Sequence, residues 1–264
     1  MFLVLSRLLY VYGLFAFLVQ WVAFIPAFIY QTEKYFDLLG SLTYVFLALV
    51  AFLLSSQEPG SVLIALMVVL WAIRLGSFLF LRVRRAGEDG RFRLIKPDLL
   101  QFLMTWTLQG LWVFVTFAAG LAALTSSEPH PISAWVIIGV SMWVIGFGIE
   151  VLADHQKSTF KKEPHNAEKF IQHGLWAWSR HPNYLGEILL WCGVAVVAFP
   201  VLGSWQYLTL VSPLFVLLLL TKISGVRMLE ARGKRKWGQD EAYLAYCERT
   251  PMLLLNPFIS TNES

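Results

Sequence analysis

The densest group of chemically versatile side chains lies in the segment Trp178-Ser179-Arg180-His181-Pro182-Asn183-Tyr184-Leu185-Gly186-Glu187. Pro182 suits the first turn of a helix, so a helix is predicted to begin there. Arg180 and His181 then lie beside the free backbone N–H groups at the positive end of that helix, an arrangement that binds anions. Asn183 and Glu187 follow at helical spacing on one face. The pattern favours a phosphate-bearing nucleotide; a helix cap that contacts lipid headgroups is the alternative.

Further ionisable residues fall inside apolar stretches, where a charge is costly and therefore indicates function. Glu150 and Asp154 are four positions apart, so they share one face of a helix. They suit hydrogen-bond donors of a ligand, such as ribose or amide groups, or else a salt bridge with Arg74 or Lys157. Arg74 itself precedes Arg82 by eight positions, about 12 Å of helix. This distance favours a buried polar role for Arg74 over a side chain that reaches water.

Two clusters of basic residues accompany these groups and could hold phosphates. One lies before the segment described above and the other follows the last apolar stretch; their members are Lys157, Lys161, Lys162 and Lys169, and Lys234, Arg235 and Lys236. The chain has neither a Gly-x-Gly-x-x-Gly after a strand nor a Walker-type loop. Any nucleotide is therefore expected to bind without a Rossmann or P-loop domain.

The elements that position these groups are predicted to be membrane-spanning helices. Of the 264 residues, 57% are hydrophobic and 14% are charged, and the mean hydropathy is +0.62. A bilayer core needs about 20 mostly apolar residues per spanning helix. Seven such stretches are predicted: Leu3 to Tyr30, Leu38 to Ser55, Ser61 to Val83, Phe102 to Leu124, Ser133 to Asp154, Tyr184 to Leu202 and Ser204 to Lys222. The sequence predicts an all-α polytopic membrane protein, with residues 1–264 in a single domain.

Lysine and arginine are distributed unevenly between the loops. The loops after spans three and five hold five each and the region from Lys222 onward holds seven of the 21, whereas the loops after spans two, four and six hold none. Because basic loops stay on the cytoplasmic side, the amino terminus is predicted outside and the 222–264 tail inside. Topology and attraction to anionic lipid account for the pI of about 9.1, so no nucleic-acid partner is expected.

Several other features carry less information. Cys192 and Cys247 lie in the sixth span and the tail, so a disulfide is not expected and nothing resembles a thiolate metal site. The turn-rich third loop, residues 84–93, could be either a lid or a solvated linker. A short amphipathic helix is predicted around Lys236 to Glu248, and the residues after Phe258 are expected to form a polar, frayed end.

The Arg180-to-Glu187 string, with Glu150-x-x-x-Asp154 and Trp71-x-x-Arg74-Leu75, resembles the steroid 5α-reductase superfamily, specifically its bacterial branch. The similarity extends from about Asp37 to Phe258. Sterol reductases of the nuclear-envelope type and isoprenylcysteine and phospholipid methyltransferases carry similar Arg-His-Pro-x-Tyr strings. The combination of Asn183 and Glu187 with the earlier carboxylates favours the reductases.

The resemblance implies a seven-helix enzyme of the bacterial cytoplasmic membrane that uses NADPH to saturate a carbon–carbon double bond conjugated to a carbonyl in a lipid or steroid-like substrate. Asp37 and Trp71 would occupy the places of the acidic and tyrosine residues that hold the substrate carbonyl. Trp71 departs from the family pattern, because an indole N–H donates a hydrogen bond but is not an ordinary proton donor. The predicted cofactor-binding residues are Arg74, Glu150, Asp154, Lys157, Lys161, Lys169, Arg180, His181, Asn183, Tyr184 and Glu187.

Two other functions stay open from the residues alone. One is a membrane methyltransferase that uses S-adenosylmethionine, suggested by the shared Arg-His-Pro-x-Tyr string. That cofactor has no phosphates, so loss of charge at Lys161 and Lys169 would be tolerated. The other is a lipid-binding or assembly protein without enzymatic activity, in which changes at Asn183 and Glu187 would leave function intact.

Overall fold

A computed structural model describes the backbone of residues 2–257 and the side chains of residues 8–257. The predicted frayed end, residues 258–264, lies outside this part of the chain. The described residues form helices and connecting turns, without a β-strand. The α-helices are α1 Phe2–Ile29, α2 Phe36–Leu53, α3 Pro59–Ala86, α4 Leu99–Leu124, α5 Ala134–Lys162, α6 Leu175–Trp178, α7 Pro182–Ala198, α8 Ser212–Leu218, α9 Gly225–Trp237 and α10 Glu241–Arg249.

Seven helical stretches of the described chain are long and apolar enough to cross a membrane, which confirms the predicted number. Their bounds are Leu8–Ile29, Phe36–Leu53, Pro59–Ala86, Leu99–Leu124, Ala134–Lys162, Pro182–Val201 and Ser204–Trp237. The chain is therefore an integral, multi-pass membrane protein. The orientation of its ends stays a prediction.

The ends of two spans differ from the predicted ones. The fifth helix continues eight residues beyond Asp154, to Lys162, because its polar last two turns still form helix outside an apolar stretch. The seventh is irregular: a 3-10 helix over Ser204–Val211 leads into α8, and a π-helix follows over Leu219–Ile223. Pro213 lies in the first turn of α8, where its missing N–H costs nothing.

The predicted helix around Lys236 to Glu248 is two helices. The helix α9 ends at Trp237 and α10 begins at Glu241. Asp240 caps α10, because its carboxylate accepts a hydrogen bond from the backbone N–H of Ala242 at 2.9 Å. Gly238 follows the end of α9, and the Asp240 cap begins α10. The periodicity of apolar residues does not reveal either feature.

The described chain divides into two compact units. The first comprises Met1–Ile138 and Val194–Ser212. In it, aromatic residues pack where the turn between α1 and α2 meets the start of α4. Phe36 and Trp106 lie edge to face at 5.0 Å between ring centroids, and Phe92 contacts Phe36 in the same way at 5.0 Å. These three rings belong to a buried cluster that also includes Phe24 and Phe102.

The second unit comprises Gly139–Gly193 and Pro213–Ser264. In it, α5 and α7 contact each other along glycines that recur every seven positions: Gly139 and Gly146 on α5, and Gly186 and Gly193 on α7. A Cβ atom added at Gly186 would lie 2.5 Å from the carbonyl oxygen of Gly146, and one at Gly193 would lie 2.5 Å from that of Gly139. The absence of side chains here lets the two antiparallel backbones touch.

Candidate functional site

The close approach of α5 and α7 brings predicted site residues together in the second unit. The backbone N–H of Glu150 is 2.6 Å from where a Cβ of Gly186 would be. About one turn further along α5, Asn183 donates a hydrogen bond from Nδ2 to Oδ1 of Asp154 at 3.3 Å. Glu150, Asp154 and Glu187 are all buried. Asn183 and Asp154, predicted from two separate segments, are therefore in contact, and together with the buried Glu150 and Glu187 of the same two helices we call them the polar cluster.

The helix α7 begins at Pro182, as predicted. The two residues before it, Arg180 and His181, both contact Glu230 of α9. One carboxylate oxygen of Glu230 accepts a hydrogen bond from Nη1 of Arg180, and the other lies 2.7 Å from Nε2 of His181. Positive charge at this helix start therefore faces an internal carboxylate. The His181 ring also stacks on Tyr184, with 5.8 Å between centroids and an interplanar angle of 12°.

Residues near the end of the described chain hold the start of α7 through backbone contacts. The N–H of Arg180 donates to the carbonyl oxygen of Pro251 at 3.0 Å, and the hydroxyl of Ser179 donates to that of Leu253 at 2.9 Å. The hydroxyl of Tyr246 donates to the carbonyl oxygen of Trp176 at 2.7 Å. The described part of the 222–264 tail is thus part of the structure that positions Arg180 and His181.

Two lysines of α5, Lys157 and Lys161, lie beside an aromatic ring or backbone carbonyls. The ammonium of Lys157 is 4.4 Å from the Trp176 ring centroid, close enough for a cation–π contact. Lys161 donates to the carbonyl oxygen of Lys169 at 3.0 Å. Lys161 and Lys169 are exposed, so both are accessible to a solute. On α9, Lys236 pairs with Glu168 at 2.8 Å.

Electrostatics at this site follow from burial and from these pairs. Burial lowers the pKa of His181, the positive charges of Lys157 and Arg180 lower it further, and Glu230 opposes the shift. Hydrogen bonding to Lys236 and its charge lower the pKa of Glu168. The lowered pKa favours the uncharged His181 ring at neutral pH. Since a carboxylate only accepts hydrogen bonds, the proton of that ring belongs on Nε2, facing Glu230.

The remaining predicted site residues, Asp37, Trp71 and Arg74, belong to the first unit. Trp71 is buried and lies edge to face against Tyr44, with 5.0 Å between centroids. The guanidinium of Arg74 lies over the Phe78 ring at 5.2 Å. Asp37 lies in the first turn of α2, 3.5 Å from Nη2 of Arg91.

Arg91 belongs to the third loop, which is folded and not a solvated linker. Lys96 pairs at 2.5 Å with Glu33, a carboxylate that is 2% exposed, and the N–H of Asp89 donates to the same Glu33 at 2.8 Å. Phe92 inserts into the aromatic cluster of the first unit and is 4% exposed. We call residues 87–98 the strap, because they bind the segment between α1 and α2 through charge and through one buried ring.

Sequence reasoning did not place Glu230 or the strap contacts. One signal was available for Glu230: it is the single acidic residue of α9, whose other charged residues are Arg227, Arg232, Lys234, Arg235 and Lys236. A lone carboxylate in a basic helix indicates a specific cationic partner. The strap contacts had no comparable signal, since Glu33 and Lys96 are 63 positions apart.

Comparisons with known proteins extend these observations. The chain is 27% identical over 159 residues to 3-oxo-5-alpha-steroid 4-dehydrogenase 1 of Bos taurus, covering 58% of this chain and 55% of that protein. It is 26% identical over 156 residues to an uncharacterised protein of Schizosaccharomyces pombe, covering 49% of this chain and 45% of that protein. It is 28% identical over 109 residues to Delta(14)-sterol reductase of Arabidopsis thaliana, covering 38% and 27%.

The chain thus spans about half or less of the length of these curated relatives. No solved structure matches it. Residues 23–250 match the family described as "Protein of unknown function (DUF1295)". The matched region includes every predicted site residue and most of the described helices. The chain belongs to the DUF1295 family, which is steroid 5-alpha-reductase-like.

Proposed function

We propose that this chain is a membrane reductase that uses NADPH to saturate a carbon–carbon double bond conjugated to a carbonyl in a steroid-like or other lipid substrate. The observation that carries the proposal is the buried cluster of the second unit, where Asn183 binds Asp154 at 3.3 Å beside Glu150 and Glu187. Burying three carboxylates is costly unless they serve a ligand or a cationic partner. The names of the Bos taurus and Arabidopsis thaliana relatives support a reductase.

The residues present fit a dinucleotide. Oδ1 of Asn183 and Nδ1 of His181 are buried acceptors with no hydrogen-bond partner in the described protein, and ribose hydroxyls or an amide supply the matching donors. Lys161 follows Asp154 by seven positions on α5, about 10 Å along the helix. Its charge and that of Lys169 suit phosphates at that distance from the polar cluster. NADPH supplies the hydride when it is bound.

For the substrate, the proposal assigns a carbonyl-binding role to Asp37 and Trp71. The indole of Trp71 donates a hydrogen bond, and Asp37 donates one only when it is protonated. Nη2 of Arg91 lies 3.5 Å from the carboxylate of Asp37. Negative charge that develops on the carbonyl oxygen would be stabilised by these two donors.

Cofactor binding provides the direct test. Purified full-length protein in lipid nanodiscs is heated with NADPH, NADH or S-adenosylmethionine, and the unfolding temperature is recorded. We expect NADPH to raise it, because bound ligand stabilises the folded state. Asn183→Ala and Asp154→Asn should each weaken NADPH binding about tenfold, the effect of one lost hydrogen bond to a charged or polar group. His155→Ala, an exposed residue next to Asp154 on α5, is the matched control and should bind as the wild type does.

The same assay separates the competing functions. Protection by S-adenosylmethionine and not by NADPH, together with tolerance of Lys161→Ala and Lys169→Ala, would establish the methyltransferase that the Arg-His-Pro-x-Tyr string also suggests. If none of the three compounds raises the unfolding temperature, and if Asn183→Ala leaves lipid binding unchanged, the result would instead indicate a lipid-binding protein without enzymatic activity.

A further inference from the structure

Glu230 occupies an unusual position in α9. The helix is otherwise basic, yet its single acidic residue faces inward, and the Glu230 side chain is 30% exposed. Each of its two carboxylate oxygens has a different partner, Arg180 or His181. These partners are consecutive residues immediately before α7 and lie about 50 positions away in the sequence. One carboxylate therefore restrains both side chains at the start of the helix.

The contact also determines which nitrogen of His181 carries the proton. The His181 side chain is 6% exposed and its Nε2 lies 2.7 Å from Glu230. A carboxylate accepts but does not donate, so Nε2 of the neutral ring is the protonated nitrogen. Nδ1 is then an acceptor, and it is buried with no partner in the described protein. The ring cannot rotate away without losing both the Glu230 contact and the stack on Tyr184.

We propose that Glu230 is a positioning residue: it holds the Arg180 guanidinium and the Nε2-protonated tautomer of His181 in the arrangement that binds the dinucleotide. This inference rests on the proposed function. Glu230 itself would not touch the dinucleotide; its effect on binding is transmitted through Arg180 and His181. The alternative is a purely structural ion pair that ties α9 to the start of α7.

A double-mutant cycle distinguishes the two roles. The dissociation constant for NADP⁺ is measured in full-length wild type, Glu230→Gln, His181→Ala and the double variant. If Glu230 acts through its partners, each single change weakens binding about tenfold and the double variant loses less than the two single losses combined, because without His181 the carboxylate of Glu230 acts through Arg180 alone. Glu230→Asp, which keeps the charge, should recover part of the affinity. Glu248→Gln, exposed on α10, is the matched control.

The pH dependence of NADP⁺ binding gives a readout that a structural role would not change. The groups around His181 are Glu230 from α9, Lys157 from α5 and the adjacent Arg180. Protonation of Nδ1 removes the acceptor, so affinity should fall as pH drops through the pKa of His181. Glu230 raises that pKa, so Glu230→Gln should move the fall in affinity to lower pH. The phosphates of NADP⁺ titrate alike in both proteins and cancel in the comparison.

The outcomes are distinct. Wild type that binds no dinucleotide would refute the proposed function, and this inference with it. Wild type that binds, with Glu230→Gln binding equally well at an unchanged pH midpoint but unfolding at a lower temperature, would overturn the positioning role alone. Additive losses in the double-mutant cycle would overturn the positioning of His181, since they would mean that no part of the effect of Glu230 on binding passes through that ring.

Discussion

At the scale of single residues, charge in this protein is held by specific partners. Glu33 is buried against Lys96 at 2.5 Å, and Glu230 contacts both Arg180 and His181. Removing one partner of such a pair is costly, because the other charge stays buried. The strap also has a buried apolar contact, because the Phe92 ring packs against Phe36 with 5.0 Å between centroids.

Phe92→Ala should destabilise the protein by about 3–5 kcal/mol, the usual cost of truncating a buried aromatic ring. Leu94→Ala is the matched control, since Leu94 is in the same strap but 85% exposed, and it should change stability by less than about 0.5 kcal/mol. Unfolding free energies of both variants in detergent check the prediction. Equal effects of the two changes would mean that the Phe92 ring does not anchor the strap.

At the scale of helices, the α5–α7 contact determines the candidate site. The glycines on the two helices let the backbones touch, and the same contact places Asp154 beside Asn183. A side chain in this contact would separate the helices and also the polar groups that they carry. Stability and nucleotide binding are therefore expected to change together at this contact.

Gly186→Ala should lower stability by about 1–3 kcal/mol, the range for overpacking, because its Cβ would lie 2.5 Å from the backbone oxygen of Gly146. It should also weaken NADPH binding. The same change at Gly148 of α5 meets nothing within 4 Å and should be neutral or slightly stabilising, since alanine favours helix. Thermal unfolding and NADPH titration of both variants provide the test. A neutral Gly186→Ala would contradict the close backbone contact.

At the scale of the whole molecule, the basic residues predict the orientation in the membrane. The basic residues fall in alternate loops between the seven spans. This distribution predicts that the loops after spans three and five face the cytoplasm. The proposed function requires that orientation, because NADPH is supplied from the cytoplasm. The single domain predicted for residues 1–264 also stays a prediction.

Accessibility to a membrane-impermeant maleimide tests the orientation. Single cysteines are introduced at two exposed positions, Arg85→Cys and Glu128→Cys, in a background that carries Cys192→Ala and Cys247→Ala. Glu128→Cys should react in intact cells, and Arg85→Cys only after the membrane is opened. The reverse pattern would place the amino terminus inside and move the candidate nucleotide site to the wrong side of the membrane.

The sequence by itself determined the number of spans and the start of α7. Long apolar stretches form helices in a bilayer, because a helix satisfies its own backbone hydrogen bonds. Pro182 marks the start of α7, because proline suits a first helical turn. The spacing of Asn183 and Glu187, and of Glu150 and Asp154, also identified the two faces that meet in the second unit. These features depend on residues close together in the chain.

Only the tertiary structure decided which groups pair across the chain. Glu230 lies 49 positions from His181, and Lys96 lies 63 positions from Glu33. Several acidic and basic residues could form such pairs, and the choice depends on how helices pack, which local periodicity does not encode. The break between α9 and α10 is different, because a local N-cap at Asp240 determines it and the apolar pattern does not. Packing therefore made Glu230 part of the candidate site.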